Sequence, residues 1–220
     1  MRNYKLENID IEDIELVLQK IEDTFEFRFV SNELINVTNF GELCDAIMNK
    51  ITLEHKEDCT TQQAFYKLNE ILTSEFGLDG ITPKTKLSKI FPKRERLKLI
   101  RKVERKLNFK LNFTEPKRIY TNLLLIFFCI SIFSFFYDYK IALIGIGISI
   151  FGIWITHKLG KELNLNTIGE LAEKMKRENY IKSRRNPKYI NKNEIEQIII
   201  DLFSIELDLD KKELTRSALI

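Results

Sequence analysis

"NLLLIFFCISIFSFFYDYKIALIGIGISIFGIWIT", residues 122–156, sets the architecture of this 220-residue chain. Two apolar runs, Asn122 to Tyr137 and Ile141 to Thr156, are split only by Asp138, Tyr139 and Lys140. Extended back through Ile119 and Tyr120, the first run would rise about 29 Å as a helix, about one hydrocarbon thickness. Two segments apolar on every face and joined by a tight turn satisfy their backbone internally as a helical hairpin in lipid.

The flanks orient the hairpin. Lys110, Lys117 and Arg118 precede it, and Lys158, Lys161, Lys174, Lys176 and Arg177 follow it. The positive-inside bias puts both flanks, and with them both termini, on the cytoplasmic side of the inner (plasma) membrane, so that only the turn crosses. Neither run is N-terminal, so neither reads as a cleaved signal peptide. Gly145, Ser149 and Gly152 are small residues that let two helix backbones approach, and they are expected to pack the hairpin on itself, with oligomerisation as the alternative. Tyr137, Tyr139 and Trp154 suit interfacial depth. Cys44, Cys59 and Cys129 give no disulfide framework, which agrees with a reducing compartment.

Outside the hairpin the chain repeats itself. TNFGELCDAI (38–47) returns as NTIGELAEKM (166–175), sharing Gly-Glu-Leu, and KIEDTFEFRF (20–29) returns as KVERKLNFKL (102–111) with its apolar positions in register. FYKLNEILTSEFGL (65–78) resembles EIEQIIIDLFSIEL (194–207), and each leads into a Thr/Ser-x-Leu step, Thr85-Lys86-Leu87 and Ser217-Ala218-Leu219. Apolar spacings of three and four predict helices over 11–25, 62–76, 93–107 and 193–205. Shorter helices are predicted over 39–49 and 167–176, and the Thr60 to Gln63 pattern is a capping-box signature. No segment alternates convincingly as a strand.

In order and spacing this resembles the acyl or peptidyl carrier proteins, small four-helix bundles that close with a Gly-Glu-Leu helix. Residues 21–47 look like the second half of one carrier and residues 64–111 like the first half of another. The resemblance implies an all-α chain of two carrier-protein-like helical bundles, one circularly permuted, plus a two-helix transmembrane hairpin. The permuted bundle would join 1–51 with 193–220. The second would join 59–113 with 163–178 around the hairpin at 119–157, leaving 179–192 as a basic linker. Insertion and permutation of this kind are tolerated where loops replace loops and chain ends lie close.

A carrier holds its phosphopantetheine on a serine at the start of the second helix. The resemblance puts that position at Ile11 in one copy and Lys93 in the other, so neither copy is expected to carry the cofactor. Pro92 would suit a first helical turn, with Lys93 and Arg94 opposing the helix dipole. Partner enzymes of the family read acids on the second helix, which here implies contact through Glu12, Asp13, Glu15 and Glu22. Charge agrees with that assignment. Residues 1–58 hold 14 acids and 6 bases, a net of −8, whereas 92–118 hold 11 bases and 3 acids, a net of +8. Lys93, Arg94, Lys98, Arg101 and Arg105 would then face anionic lipid, the alternative for the positive charge at 93–94 being a solvated face on a basic helix.

The remaining constellations carry less chemistry. Glu54, His55, Glu57, Asp58 and Cys59 form a donor-rich loop without the convergent ligand set a metal needs, and it reads as a solvated linker. The stretch IKSRRNPK (181–188) lacks the interleaved aromatics of a nucleic-acid site and is better explained by lipid charge. No P-loop, dinucleotide glycine pattern or nucleophile elbow occurs. The expectation is a noncatalytic membrane protein without cofactor or metal, docking carrier-recognising enzymes. The rival is an anionic-lipid-binding or membrane assembly protein with structural bundles.

Overall fold

The computed structural model describes residues 9–219. Ten helices and four two-residue strands follow one another in that span: α1 (Ile11–Phe25), α2 (Phe40–Lys50), β1 (Glu54–His55), α3 (Thr60–Phe76), α4 (Leu87–Ile90), α5 (Arg96–Leu107), β2 (Thr114–Glu115), α6 (Arg118–Phe133), α7 (Tyr139–Lys158), β3 (Glu162–Leu163), α8 (Ile168–Glu178), α9 (Tyr180–Ser183), β4 (Tyr189–Ile190) and α10 (Lys192–Glu206). β1 pairs in parallel with β4, and β2 pairs antiparallel with β3. The chain falls into two compact units: residues up to Ile81 together with those from Ala172 onward, and Thr82–Leu171.

The first unit is built from both ends of the chain. Val17, Ile21 and Phe25 recur every fourth residue along α1, which is what one buried helix face requires. They pack in one core with Phe40, Leu43, Cys44 and Ile47 of α2 and with Ile195, Ile198, Ile199, Leu202 and Phe203 of α10. Burial pushes the Cys44 thiol up to about 12. Segment 59–81 groups with this unit because α3 is tied to 182–194: Thr60 Oγ1 donates to Glu194 at 2.6 Å, and Lys67 Nζ reaches the Lys182 carbonyl at 2.6 Å.

The repeats reappear as identical hydrogen bonds. Phe40 and Gly41 donate their amides to the carbonyls of Ala218 and Arg216, both at 2.8 Å, as Ile168 and Gly169 do to Thr85 and Pro83 at 3.0 and 2.8 Å. A Cβ on Gly41 would lie 2.8 Å from the Arg216 oxygen, and one on Gly169 would lie 3.0 Å from that of Pro83. The shared glycine is therefore demanded by close backbone approach. Helix α1 ends at Glu26 and α5 at Asn108, both left-handed, with φ of 57° and 63°. Glu22 then accepts the Phe29 amide at 2.7 Å, as Glu104 accepts that of Leu111 at 2.8 Å. Bridges pair Lys86 with Thr167 and Leu219 with Asn39, one position off the alignment of the two Thr/Ser-x-Leu steps.

Three sequence expectations need correction. The Thr60–Gln63 capping box does not form, because the Thr60 hydroxyl is bound to Glu194 and Gln63 accepts the Arg185 amide at 2.8 Å. Helix α5 starts at Arg96, after a Pro92–Glu95 turn, so Lys93 and Arg94 stand outside the helix rather than against its dipole. The cause is Arg96: it is buried, its Nε donates to the Phe91 carbonyl at 2.8 Å, and its Nη1 donates to that of Lys161. The 179–192 stretch, expected as a basic linker, instead contributes Tyr180, Ile181 and Ile190 to the first core.

Helices α6 and α7, with a 3-10 turn at Ser134–Phe136 between them, form the hairpin, and each is long and apolar enough to cross a membrane. The connection is tighter than the sequence suggests, because Asp138 accepts the Lys140 amide at 2.8 Å and Tyr139 already opens α7. Small residues fill the seam. Ser131, Ala142, Gly145 and Ser149 are buried, while Phe127, Phe133, Ile144, Ile148 and Phe151 face outward uncovered. Ser131 and Ser149 spend their hydroxyls on the carbonyls of Phe127 and Gly145, both at 2.8 Å.

A Cβ at Gly145 would run into the Ser131 side chain, whereas one at Gly147 would meet nothing within 4 Å. Gly145→Leu is therefore expected to destabilise the hairpin by about 1–3 kcal/mol through overpacking. Gly147→Leu should leave it unchanged or slightly stabilised. Melting of the detergent-solubilised protein, followed by protease sensitivity at 134–140, compares the two; equal melting would show that the seam is not at Gly145.

Candidate functional site

The expected acidic contact residues lie on α1. Asp10 caps this helix by accepting the Glu12 amide, and Glu12 and Asp13 occupy its first turn, where carboxylates are favoured by the dipole. Glu12 and Glu15, one turn apart, open onto a surface groove of about 620 Å³ in which Leu16, Leu18, Gln19, Glu22, Phe29 and Leu34 complete the lining. Asp13 is exposed but lies outside that lining. Glu22 is half-buried, and its carboxylate holds the Phe29 amide and sits 3.8 Å from the Arg28 guanidinium. It positions the groove wall, while Glu12 and Glu15 offer their charges to solvent.

Apolar surface surrounds these acids. Ile11, which stands where the resemblance implies an attachment serine, is 73% exposed, and Leu16 is 58% exposed between Glu12 and Glu15 on one side and Gln19 on the other. Val30 and Ile35 in the loop after α1 are also exposed. That loop is held by Glu33, whose carboxyl is kept below the usual range by Lys50 at 2.6 Å and by the Val30 amide. The arrangement is an acidic rim around open apolar side chains, which suits association with a basic, partly apolar surface.

The basic residues are on α5 and the turn before it. Lys93, Arg94, Lys98, Arg101 and Arg105 are all exposed, and Ile100, Val103 and Leu107 bury the opposite face. Arg101 and Arg105 line a shallow depression with Asn108, Phe109 and Lys110. Lys93 departs from the rest: it pairs with Glu162, whose carboxyl is held below its ordinary range by that ammonium. Ser88, the nearest hydroxyl to Lys93 in the sequence, lies within the four-residue α4.

Sequence reasoning missed two arginines. Arg184 falls in the basic stretch that the sequence assigns to lipid charge, yet it is 2% exposed, with its guanidinium on Thr60 Oγ1 at 2.5 Å, on the Tyr180 hydroxyl at 3.2 Å and on Asp58. Arg96 enters the sequence reading only through the net charge of 92–118. An apolar neighbourhood within five residues, Tyr180-Ile181 for Arg184 and Phe91 for Arg96, was the available signal. The donor-rich loop is likewise structural: His55 Nδ1 accepts the Lys192 amide at 3.2 Å and Asp58 serves Arg184. Among the described residues no group of three or more His, Cys, Asp or Glu could hold a metal ion.

Compared with protein-family models, curated proteins and solved structures, the chain matches none of them.

Proposed function

We propose that this chain is a membrane-anchored, noncatalytic, acyl-carrier-like protein that docks partner proteins at the cytoplasmic face of the inner (plasma) membrane. The observation that carries the reading is the groove on α1, where Glu12 and Glu15 stand free beside uncovered Leu16 and Ile11. The carrier-like order of helices supplies the class of partner, an enzyme that reads an acidic carrier helix. With Ile11 and Lys93 at the attachment positions, the chain offers the recognition surface without a phosphopantetheine arm. The two apolar helices supply the anchor, and the lysines and arginines on both flanks supply its orientation.

Glu12→Lys combined with Glu15→Lys is expected to abolish recovery of partner protein from solubilised membranes without lowering the melting temperature, since both side chains are exposed. Surface charges of this kind act mainly on association rate and its salt dependence. Unchanged recovery with the reversed charges would sink the docking reading. A second reading, an anionic-lipid-binding or membrane assembly protein, is favoured by the exposed Lys98, Arg101 and Arg105 on one helix of the unit that carries the hairpin.

A further inference from the structure

The base of the hairpin carries a second groove, of about 710 Å³, whose lining changes character along its length. At one end stand Lys93, Lys117 and Lys161 with Glu162 as the only acid in the lining and with Leu159 at the end of α7, and deeper along the helices come Leu123, Leu124 and Ile155. Three lysines against one glutamate leave the mouth with an excess of two positive charges. Lys117 immediately precedes α6, and Lys161 follows α7 by three residues, so both mark the same end of the hairpin. Leu124 lies seven residues into the hairpin from Lys117, about 10 Å along a helix.

The mouth is built rather than accidental. The β2–β3 register sets Glu115 opposite Glu162, and a Cβ on Gly160 would lie 2.6 Å from the Pro116 nitrogen, so the strand ends bring 116–117 against 160–161. Arg96, buried, donates to the Lys161 carbonyl and fixes that segment against the start of α5. Glu162 is engaged by Lys93, with Lys117 adding to the field that lowers its pKa. Cationic side chains therefore ring a polar mouth at the end of two membrane-type helices, and an apolar trough continues from it into the depth those helices would occupy.

We propose that this groove holds one anionic phospholipid, its phosphate engaged by Lys117 and Lys161 and one acyl chain lying over Leu123, Leu124 and Ile155. The inference rests on the reading of α6 and α7 as membrane spans. A soluble phosphate would satisfy the mouth but leave the trough empty, and a zwitterionic lipid would fill the trough but gain little from the excess charge. Tyr120, one helical turn from Lys117, adds an amphipathic ring at the depth where such rings are favoured.

The test uses the full chain reconstituted in bilayers of phosphatidylcholine containing phosphatidylglycerol, re-extracted in mild detergent, with bound lipid counted by native mass spectrometry. About one phosphatidylglycerol per chain should remain, in preference to phosphatidylcholine. Lys117→Gln with Lys161→Gln should lower its retention about tenfold, and Thr156→Phe, at a residue that also lines the groove, crowds the trough while keeping the charges and should lower it as well. Equal retention of the two lipids, unchanged retention in either variant, or displacement by soluble glycerol 3-phosphate would overturn the proposal. Alkaline carbonate extraction separates the two levels. A chain released from membranes overturns the spans and this site together, whereas one that stays embedded but keeps no phosphatidylglycerol overturns the site alone.

Discussion

Phe203→Ala is expected to cost about 3–5 kcal/mol of stability in the unit assembled from the two chain ends. Phe203 is fully buried on α10, packs edge-on to Phe40 of α2 with ring centroids 5.2 Å apart, and shares a core with Val17, Ile21 and Phe25 of α1. Removing the ring deletes contacts to helices that lie more than 150 residues earlier in the chain, and the backbone clamps at Gly41 and Asn39 limit how far the site can collapse. Ile205→Ala, two residues away but 53% exposed, should change stability by less than about 0.5 kcal/mol. Amide exchange gives the sharper readout: Phe203→Ala should raise exchange in α1 and α2 together with α10. Acceleration confined to α10 would mean that the N-terminal helices have a core of their own, and the two-ended unit would be wrong.

The repeats behind that unit were legible in the sequence because their information is periodic and repeated, although 59–81, which the structure groups here, was expected in the other bundle. Gly-Glu-Leu returns with the same capping pattern, Glu42 to Thr38 and Asn39, Glu170 to Asn166 and Thr167. The repeat of 20–29 at 102–111 carried even the left-handed helix end and the glutamate that closes it. The hairpin was legible because lipid-type burial needs no alternation at all. What escaped was whatever depends on one polar side chain finding a partner far away. Thr60 looks like a cap but is claimed by Glu194, and nothing local distinguishes the two uses. The start of α5 slid from Lys93 to Arg96 because the carbonyls of Phe91 and Lys161 recruit the Arg96 guanidinium. Of the acids expected on the docking face, Glu12 and Glu15 face the groove, while Glu22 is spent on a backbone amide that only the folded loop presents.

Asp58→Ala, at a half-buried position outside the cores, should cost about 3–5 kcal/mol, because it leaves a buried guanidinium without its ion-pair partner. The Arg184 side chain is 1% exposed while that of Asp58 is 27% exposed, so the unpaired member is the one that cannot recover hydration. Glu194 softens the loss, since it meets the same network through Thr60 at 2.6 Å and the Tyr180 hydroxyl at 2.9 Å. If charge is the cause, adding Arg184→Met to Asp58→Ala should restore most of the stability, as an apolar side chain of similar length tolerates the site. If lost packing were the cause, the double variant would be no better than the single one. The same network sets an alkaline limit. Burial pushes the Tyr180 phenol up to about 12, above the ordinary value near 10. Between those values the unfolded chain has lost a proton that the folded chain retains, so stability falls as pH rises through that window. Tyr180→Phe should remove this component of the alkaline decline, and a decline of undiminished slope in Tyr180→Phe, followed by denaturant midpoints from pH 9 to 12, would assign it to other groups.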